Sequence, residues 1–558
     1  VEYYATVFTM AESPRQAGVI WAGSDDGLVH VTRNAGKTWT NVTPPGLPHF
    51  ARISLIEASP NSAGTAYVAA NNYQMDDLRP YIFRTSDFGK TWTPIVTGIP
   101  ATEFVRAVRE DPVRKGLLFA ATERSVWVSF NDGASWQSLR RNLPLVPVHD
   151  LAIKEGDLIA ATHGRSFWIL DDLSALRQLN SSIPARRAHL FKPRDVYRSD
   201  FSGGGGTGAA GGHPTGQNPP NGAVVYYWLK DKNQTVTLEF LDSKGVVVLK
   251  YTSLQDSIVR SDSLRTDSIR RNRDDSLKRA GVNPDSAKRT EARSEETPAA
   301  EGPRRAPPPP RVSNKAGLNM FTWNLYYPEA TGFEGMIMWA AGLQGPMAIP
   351  GKYSVRMTVA GDPSQTQTFT LVKDPRSKAT QAELVEQFAF LTKIRDRVTE
   401  ANNAVRTIRN LRTQIAMRGK SLTEAQRRDL DAAASAMLER LSGIESEIYQ
   451  VKNQSGQDPL NYPIRLNNKI AALAGVVAST DARPTDQSYA VFNALSAQLD
   501  TQLAAMKAEL QGLAAINAKL KAWGQPEIVP GTAELSQTSS GSAARSDSDT
   551  EEFESDGG

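Results

Sequence analysis

TRNAGKTW at residues 32–39, TSDFGKTW at 85–92 and SFNDGASW at 129–136 are three copies of one pattern, here called box 1, box 2 and box 3. Each reads Ser/Thr, any residue, Asp/Asn, any residue, Gly, any residue, Ser/Thr, Trp. The Asp or Asn can accept backbone N–H hydrogen bonds, the Gly can adopt the positive φ that closes a turn, and the Trp then re-enters a sheet as an apolar anchor. The structural positions are Asn34, Gly36 and Trp39; Asp87, Gly89 and Trp92; and Asn131, Gly133 and Trp136.

Each box lies within a longer repeat that has strand-like segments on both sides. The four repeats can be aligned on one small residue in each, at Gly23, Ala70, Ala121 and Ala161. Their spacing, about 40–50 residues, is that of a four-stranded propeller blade. The fourth repeat keeps Asp172 at the acceptor position but has lost the Gly and the Trp, as terminal repeats often do.

This arrangement resembles the Asp-box (BNR) repeat of sialidase-like, oligoxyloglucan-hydrolase-like and sortilin-like β-propellers. In those families the box is a folding device, so the resemblance implies an architecture for residues 1–180 and no catalytic residue. It also implies more than four blades. Because the chain starts at Val1 within a strand-like pattern, we expect these blades to be the C-terminal part of a larger propeller.

Four further segments follow, which makes the predicted fold multidomain and mainly β. Residues 181–222 are predicted as a Gly/Pro-rich linker, and residues 223–376 as an immunoglobulin-like β-sandwich. A charged insertion at 253–312 is predicted as a disordered loop, with a partner-binding arm as the alternative. Helical periodicity predicts an antiparallel four-helix bundle at 379–523, and the acidic composition of 531–558 predicts a disordered tail.

Composition narrows the classes of function. The absence of cysteine excludes disulfides, Cys-ligated zinc and thiol catalysis. The net charge of +4 is small for 558 residues and no basic face carries interleaved aromatics, so we expect no nucleic-acid partner. The six histidines lack metal-ligand spacing, and no apolar run is long enough for a transmembrane segment. We predict neither a metal nor a cofactor.

Cationic residues stand near the starts of three consecutive inner strands, which in a propeller border the central channel. They are Arg52, Arg106 and His149. Such a rim would suit a carboxylate, an acidic sugar or a peptide C-terminus. The alternative is that each residue pairs with a carboxylate of a neighbouring blade.

Glycoside hydrolysis would need two carboxylates beside the scissile bond. The predicted catalytic pair is Asp76 and Asp77, in the longest inter-strand loop, where Tyr73, Arg79 and Tyr81 could stack on a sugar or a peptide. His163 and Arg165 are further predicted ligand-binding residues, because Gly164 can turn both toward a rim. Other loop carboxylates are Asp25, Asp26, Glu103 and Glu123. For the carboxylates, turn and capping roles remain the alternative, and for His163 and Arg165 the alternative is packing and salt bridging.

We therefore expect an exported bacterial propeller protein that binds a glycan or a polypeptide, as a binding or scaffold module at the cell envelope. One alternative is a glycoside hydrolase of the sialidase-like or oligoxyloglucan-hydrolase-like kind. The other is a structural subunit that contacts a protein partner through the helical bundle.

Overall fold

The computed structural model describes residues 5–199, 218–254 and 310–532. Residues 200–217 of the predicted linker, and most of the charged insertion and of the acidic tail, lie outside these residues. The chain divides into two compact units, which are described separately. Unit 1 comprises Val1–Leu254, Arg311–Asn324 and Gly351–Val372, and unit 2 comprises Gln255–Pro310, Leu325–Pro350 and Lys373–Gly558.

Unit 1 begins with four consecutive antiparallel sheets, here called blades 1 to 4. Within the described residues, blades 1 to 3 have four strands in sequence order and blade 4 has three. The strands are β1 (Val7–Glu12), β2 (Ile20–Ser24), β3 (Val29–Thr32) and β4 (Thr40–Asn41); β5 (Arg52–Ala58), β6 (Ala66–Asn72), β7 (Asp77–Thr85) and β8 (Thr93–Pro94); β9 (Val105–Glu110), β10 (Leu118–Thr122), β11 (Val126–Ser129) and β12 (Gln137–Ser138); and β13 (Val148–Lys154), β14 (Asp157–Thr162) and β15 (Phe167–Leu170).

The three boxes form one repeated turn between the third and fourth strands. In box 2, the Thr85 hydroxyl donates to Asp87 Oδ1 at 2.8 Å and accepts from the Gly89 N–H at 2.9 Å. Asp87 Oδ1 also accepts from the Thr91 N–H at 2.9 Å. Boxes 1 and 3 repeat these contacts with Asn at the acceptor position. The turn is therefore fixed by local hydrogen bonds that the short pattern encodes.

The boxes also join neighbouring blades through their Trp residues. Trp92 Nε1 donates to the Val42 carbonyl at 2.6 Å, and Trp136 Nε1 donates to the Ile95 carbonyl at 2.7 Å. Val42 and Ile95 each follow the fourth strand of the preceding blade. Trp39 differs from the predicted buried anchor, because it is 43% exposed.

The pairing register corrects the sequence alignment in one repeat. Gly23, Ala121 and Ala161 occupy one position of the second strand, and the blade 2 residue at this position is Ala69 rather than Ala70. Each inner strand carries a β-bulge beside this position, so an extra residue is inserted. The inserted residues are Phe8, Ser54, Arg106 and His149.

Blade 4 ends in a short helix, α1 (Ser174–Gln178), in place of a fourth strand. Counted along the box pattern, Arg177 stands where the Trp would be. Its guanidinium pairs with the fully buried Asp111 of blade 3 at 2.9 Å. Blade 4 therefore contacts blade 3 through an ion pair at the position where an indole would lie.

Two further sheets complete unit 1. The first contains β16 (Ala188–Leu190), β18 (Ala223–Leu229) and β21 (Gly317–Trp323), and the second contains β17 (Val196–Arg198), β19 (Val236–Leu241), β20 (Val247–Thr252), β22 (Gly351–Val359) and β23 (Gln365–Lys373). Their faces meet through Phe240 and Trp323, whose ring centroids lie 5.0 Å apart. Because β16 and β17 belong to these sheets, the region predicted as a linker at 181–222 contains sheet strands. Both strands are too short to show a recognisable alternation in sequence.

Unit 2 is helical, with α2 (Gln381–Lys420), α3 (Glu424–Ile448), α4 (Leu466–Val477), α5 (Asp486–Glu509) and α6 (Leu513–Ala522). Capping boxes at Thr380 and Thr423 begin α2 and α3. Four helices are predicted for this region, whereas the described residues contain five, because a 3-10 turn at Leu510–Gly512 separates α5 from α6. The segment Leu325–Pro350, predicted within the sandwich, belongs to unit 2, where Phe333 packs edge-on against Tyr449 at 4.9 Å.

Unit 2 contains the longest helices among the described residues, and none of them is both long and apolar enough to cross a membrane. This holds for every helix in the described residues.

The first prediction concerns the indole contact between blades. Trp136 is 4% exposed, so Trp136→Ala should lower the free energy of unfolding by about 3–5 kcal/mol, because it opens a cavity and leaves the Ile95 carbonyl unpaired. Trp39→Ala is the matched control and should change it by less than about 1 kcal/mol. Urea unfolding followed by circular dichroism measures both. Equal losses would show that the contact is not what stabilises the blades.

The second prediction concerns the box glycines. Gly133 and Gly36 have φ values of 85° and 84°, so both suffer similar backbone strain when changed to Ala. A Cβ on Gly133 would lie 2.5 Å from Ile95 Cδ1, whereas a Cβ on Gly36 would meet only Trp39 Nε1 at 3.9 Å. Gly133→Ala should therefore cost about 1–3 kcal/mol more than Gly36→Ala. The same urea experiment checks this, and a larger cost at Gly36 would contradict it.

Candidate functional site

The bulges of the inner strands position the central part of the candidate site. A bulge inserts one extra residue, whose side chain does not follow the regular alternation between the two faces of the sheet. In blades 3 and 4 the inserted residues are Arg106 and His149, two of the predicted rim residues. Arg52 stands two residues before the bulge of blade 2, whose inserted residue is Ser54. The three residues therefore do not occupy equivalent positions, although they lie near the same ends of their strands.

A stacked aromatic pair and a guanidinium form the centre of the site. The rings of Tyr73 and Phe104 stack with centroids 4.8 Å apart and an interplanar angle of 14°. The Arg106 guanidinium lies 5.0 Å from the Phe104 ring centroid and 5.8 Å from that of Tyr73. Arg106 Nε also donates to Glu123 Oε2 at 2.8 Å. The carboxylate and the two rings thus hold the guanidinium in place, with one of its sides toward the aromatic surface.

Two histidines continue this surface. His149 and His163 are exposed, and their ring centroids lie 4.9 Å apart. Partial burial lowers the pKa of His149 below its ordinary value of 6.5, and the charges of Arg106 and His163 lower it further. The structure therefore brings together four residues that the sequence analysis placed in three different groups: Tyr73, Arg106, His149 and His163.

Arg52 adds a cation that has no carboxylate partner within residues 5–199. Its Nη2 donates to Gln74 Oε1 at 3.3 Å, and its guanidinium lies 4.9 Å from the Phe8 ring centroid. Its Nε is buried and has no hydrogen-bond acceptor among the described residues. Gln74 follows Tyr73 in the 3-10 turn Tyr73–Met75, so Arg52 reaches the same loop as the aromatic pair. Together, Arg52, Tyr73, Phe104, Arg106, Glu123, His149 and His163 are here called the rim cluster.

Asp76, Asp77 and Arg79 form a separate local arrangement. Asp76 has a φ of 59° and ends the 3-10 turn, which is a structural role. Asp77 Oδ1 accepts from Arg79 Nε at 2.9 Å, and Asp77 Oδ2 accepts from the Tyr81 hydroxyl at 2.6 Å. The hydrogen bond from Arg79 holds the pKa of the Asp77 carboxyl well below its usual range. Asp77 therefore remains ionised and is poorly suited to donate a proton.

The remaining loop residues have mainly turn roles. Gly164 has a φ of 83° and makes the tight turn expected beside His163. The Arg165 side chain is exposed, and no ion pair joins it to the rim cluster within residues 5–199. Glu103 Oε2 accepts from Thr122 and Trp127, Asp25 accepts from the Thr6 N–H, and Asp26 accepts from Ser24.

A charged group that the sequence analysis missed lies further along the inner strands. Arg109 of β9 donates to Glu57 of β5 at 2.8 Å, to Asp150 of β13 at 2.9 Å and to the Leu151 carbonyl at 2.8 Å. One guanidinium thus joins three blades. Glu57 and Arg109 occupy the same position on adjacent inner strands, and this opposite charge in register was the signal available in the sequence.

This group borders a cavity of about 340 Å³ that is also lined by Met10, Glu12 and Leu55. Burial raises the pKa of the Glu57 carboxyl, and the nearby Arg109 charge only partly offsets the effect. Among the described residues, no three His, Asp or Glu side chains cluster in a way that could hold a metal ion. The site as a whole therefore offers cations, stacked rings and one protonatable carboxyl beside a cavity.

No family model and no curated protein matches this chain. Solved structures resemble part of it. YCF48 bound to D1 peptide is 16% identical with a TM-score of 0.25, over 31% of this chain and 53% of that one. YCF48 from Cyanidioschyzon merolae is 18% identical with a TM-score of 0.24, over 31% and 55%.

A GH74 xyloglucanase from Xanthomonas campestris is 13% identical with a TM-score of 0.25, over 45% of this chain and 39% of that one. The chain thus spans about half the length of the two YCF48 structures and less of the xyloglucanase. Similarity at this level does not assign an activity to this chain.

Proposed function

We propose that this chain is an exported propeller-type module that binds a carboxylate-bearing glycan or polypeptide at the rim cluster. The observation that carries the proposal is Arg52, a partly buried guanidinium without a carboxylate partner in the described residues, close to a stacked aromatic pair. A guanidinium binds a carboxylate through charge-assisted hydrogen bonds, and an aromatic face binds a sugar ring or an apolar side chain.

Arg106 complements Arg52 in this role. Its pairing with Glu123 leaves the guanidinium close to the Tyr73 and Phe104 rings, so it supplies positive potential without being displaced by the ligand. His149 adds a charge only when it is protonated, which its lowered pKa restricts to acidic pH. The rim cluster is thus a cationic surface whose strength depends on pH.

A glycoside hydrolase is the second candidate, and Glu57 is the observation in its favour. A general acid must keep its proton near neutral pH, and burial raises the pKa of Glu57 beside the 340 Å³ cavity. Asp77 lacks this property. A third possibility, a structural subunit that docks through the helices of unit 2, gains support only if neither glycans nor peptides bind to unit 1.

The third prediction tests the binding site. Acidic and neutral glycans, and peptides with free C-termini, are titrated calorimetrically with the full chain, and each mixture is assayed for released reducing ends. Arg52→Gln should weaken the binding of a carboxylate ligand about tenfold, because one charge-assisted hydrogen bond contributes roughly 1.5–3 kcal/mol. The exposed Arg15→Gln is the matched control and should bind as the unmodified chain does.

Each result of that experiment has a defined meaning. Equal affinity of the Arg52→Gln variant would reject the rim cluster as the carboxylate site. Reducing ends that disappear in a Glu57→Gln variant would favour the hydrolase. No binding and no product would favour unit 2 and a protein partner.

The fourth prediction concerns the pKa of His149. Arg106→Gln removes a neighbouring positive charge and exposes His149 to the unpaired Glu123, so the pKa should rise toward 6.5. NMR titration of the imidazole measures this, and Arg165→Gln, whose charge is not among the causes of the shift, should leave the pKa unchanged. A pKa that does not move in the Arg106→Gln variant would mean that burial and His163 cause the shift without a contribution from Arg106.

The same pKa sets the sign of two pH dependences. Because the pKa of folded His149 is lowered, the unfolded chain binds this proton at a higher pH. The contribution of His149 to stability is complete above pH 6.5 and is lost as the pH falls through the folded pKa. Affinity for a carboxylate should increase over the same interval, since the proton adds positive charge to the rim cluster.

A further inference from the structure

The boundary between blades 3 and 4 contains an apolar cavity at the position where an indole sits between blades 2 and 3. Blade 4 has no box Trp, and the residue at that position, Arg177, is directed to Asp111. The cavity measures about 60 Å³. One water needs about 10–15 Å³ by this measure, so the space holds several waters or part of a flat ring.

The lining of this cavity repeats the surroundings of Trp136 residue by residue. Trp136 belongs to an apolar cluster with residues of blades 2 and 3: Ile82, Ile95, Ile99, Leu118, Ala120 and Trp127. Six residues that line the cavity occupy the equivalent positions in blades 3 and 4. In the same order, they are Val126, Leu139, Leu143, Leu158, Ala160 and Trp168. We call these six residues the blade 4 socket.

The hydrogen-bond acceptor of the indole is also present. The carbonyls of Val42 and Ile95 accept from Trp92 and Trp136, respectively. The N–H of each of these two residues donates to the carbonyl of the residue that begins the third strand, or that occupies the equivalent position. Leu139 does the same with the Val126 carbonyl, so the Leu139 carbonyl corresponds to those two acceptors. The socket therefore offers both the apolar walls and the polar contact of an indole site.

A strand position is open next to the socket. In blades 1 to 3, the two residues after the Trp pair with the third strand. In blade 4, β15 is the last strand of its sheet among the described residues, and Phe167 and Ile169 are 73% and 57% exposed. An extended chain with an aromatic residue could thus occupy the socket and add a strand to β15 at once.

Two exposed arginines determine the charge that such a chain should carry. Arg140 and Arg141 line the mouth of the cavity, and neither has a carboxylate partner among the described residues. A segment with a carboxylate beside its aromatic residue would complement them.

We propose that the blade 4 socket binds an extended segment of a partner polypeptide, with a Trp in the socket, the following residues paired with β15 and an acidic residue near Arg140 and Arg141. This surface is separate from the rim cluster, so it would recruit a protein independently of the ligand bound there. The partner segment has the pattern that the chain itself uses in blades 2 and 3: a Trp, two extended residues and an apolar residue.

The fifth prediction tests this site with a peptide taken from the chain. The probe is a fluorescein-labelled peptide with the sequence of residues 132–139, DGASWQSL, titrated with the full chain and followed by fluorescence anisotropy. We expect saturable binding that weakens at least tenfold when the Trp of the peptide is changed to Ala. This comparison uses the unmodified protein, so it does not depend on how a variant folds.

Protein variants then locate the binding. Ala160→Phe fills the socket and should weaken binding at least tenfold, whereas Ala134→Phe makes the same change on the exposed surface of box 3 and should have no effect. Arg141→Glu, at an exposed position, should weaken binding at least threefold. Arg15→Gln, at another exposed position, should leave it unchanged, and weakening by Arg52→Gln in place of Arg141→Glu would place the peptide at the rim cluster instead.

Three outcomes with the full chain and its variants would overturn the proposal. They are no binding to the full chain, binding that is insensitive to the peptide Trp, and binding that persists in both Ala160→Phe and Arg141→Glu. Probe binding that appears only after removal of residues 533–558 would also overturn it, because the occupant would then be this chain's own C-terminal segment.

Discussion

The hydrogen bond from a box indole to the carbonyl that ends the preceding blade is the contact on which the architecture of unit 1 depends. It occurs from Trp92 to Val42 and from Trp136 to Ile95. Each blade is a small antiparallel meander that cannot bury both faces alone. The box solves this problem because its internal hydrogen bonds fix the turn and direct the Trp to the neighbour. The absence of a side chain on its glycine then lets that neighbour approach within van der Waals distance.

The features that could be predicted from sequence are those encoded over a few residues. The boxes were recognisable because Asp87 and its counterparts bond to groups two and four residues away, and the capping box at Thr380 is local in the same way. The exposure of Trp39 could not be predicted, since it depends on a neighbouring blade rather than on box 1 itself. The displacement from Ala70 to Ala69 was equally hidden, because both residues are alanines and the sequence gives no reason to align one rather than the other.

The candidate site likewise contains features that could be predicted from the sequence and features that could not. Arg106 and His149 were predicted because they stand near strand starts, but their grouping with Tyr73 and His163 requires two blades and two loops to meet. Asp77 was predicted as a catalytic residue from its type and loop position, and its pairing with Arg79, which could not be predicted, favours the ionised form and disfavours a role as the general acid. Arg109 was missed because its carboxylate partners, Glu57 and Asp150, are far away in sequence and on different blades.

The bulge in each inner strand separates two kinds of position. Downstream of it, residues such as Ala107 and Val108 are fixed by close packing between blades. The inserted residue itself varies in this chain among Phe8, Ser54, Arg106 and His149, an aromatic, a hydroxyl, a guanidinium and an imidazole at one topological position. The inserted position therefore accepts side chains of different chemistry without changing the pairing of the strand that follows it.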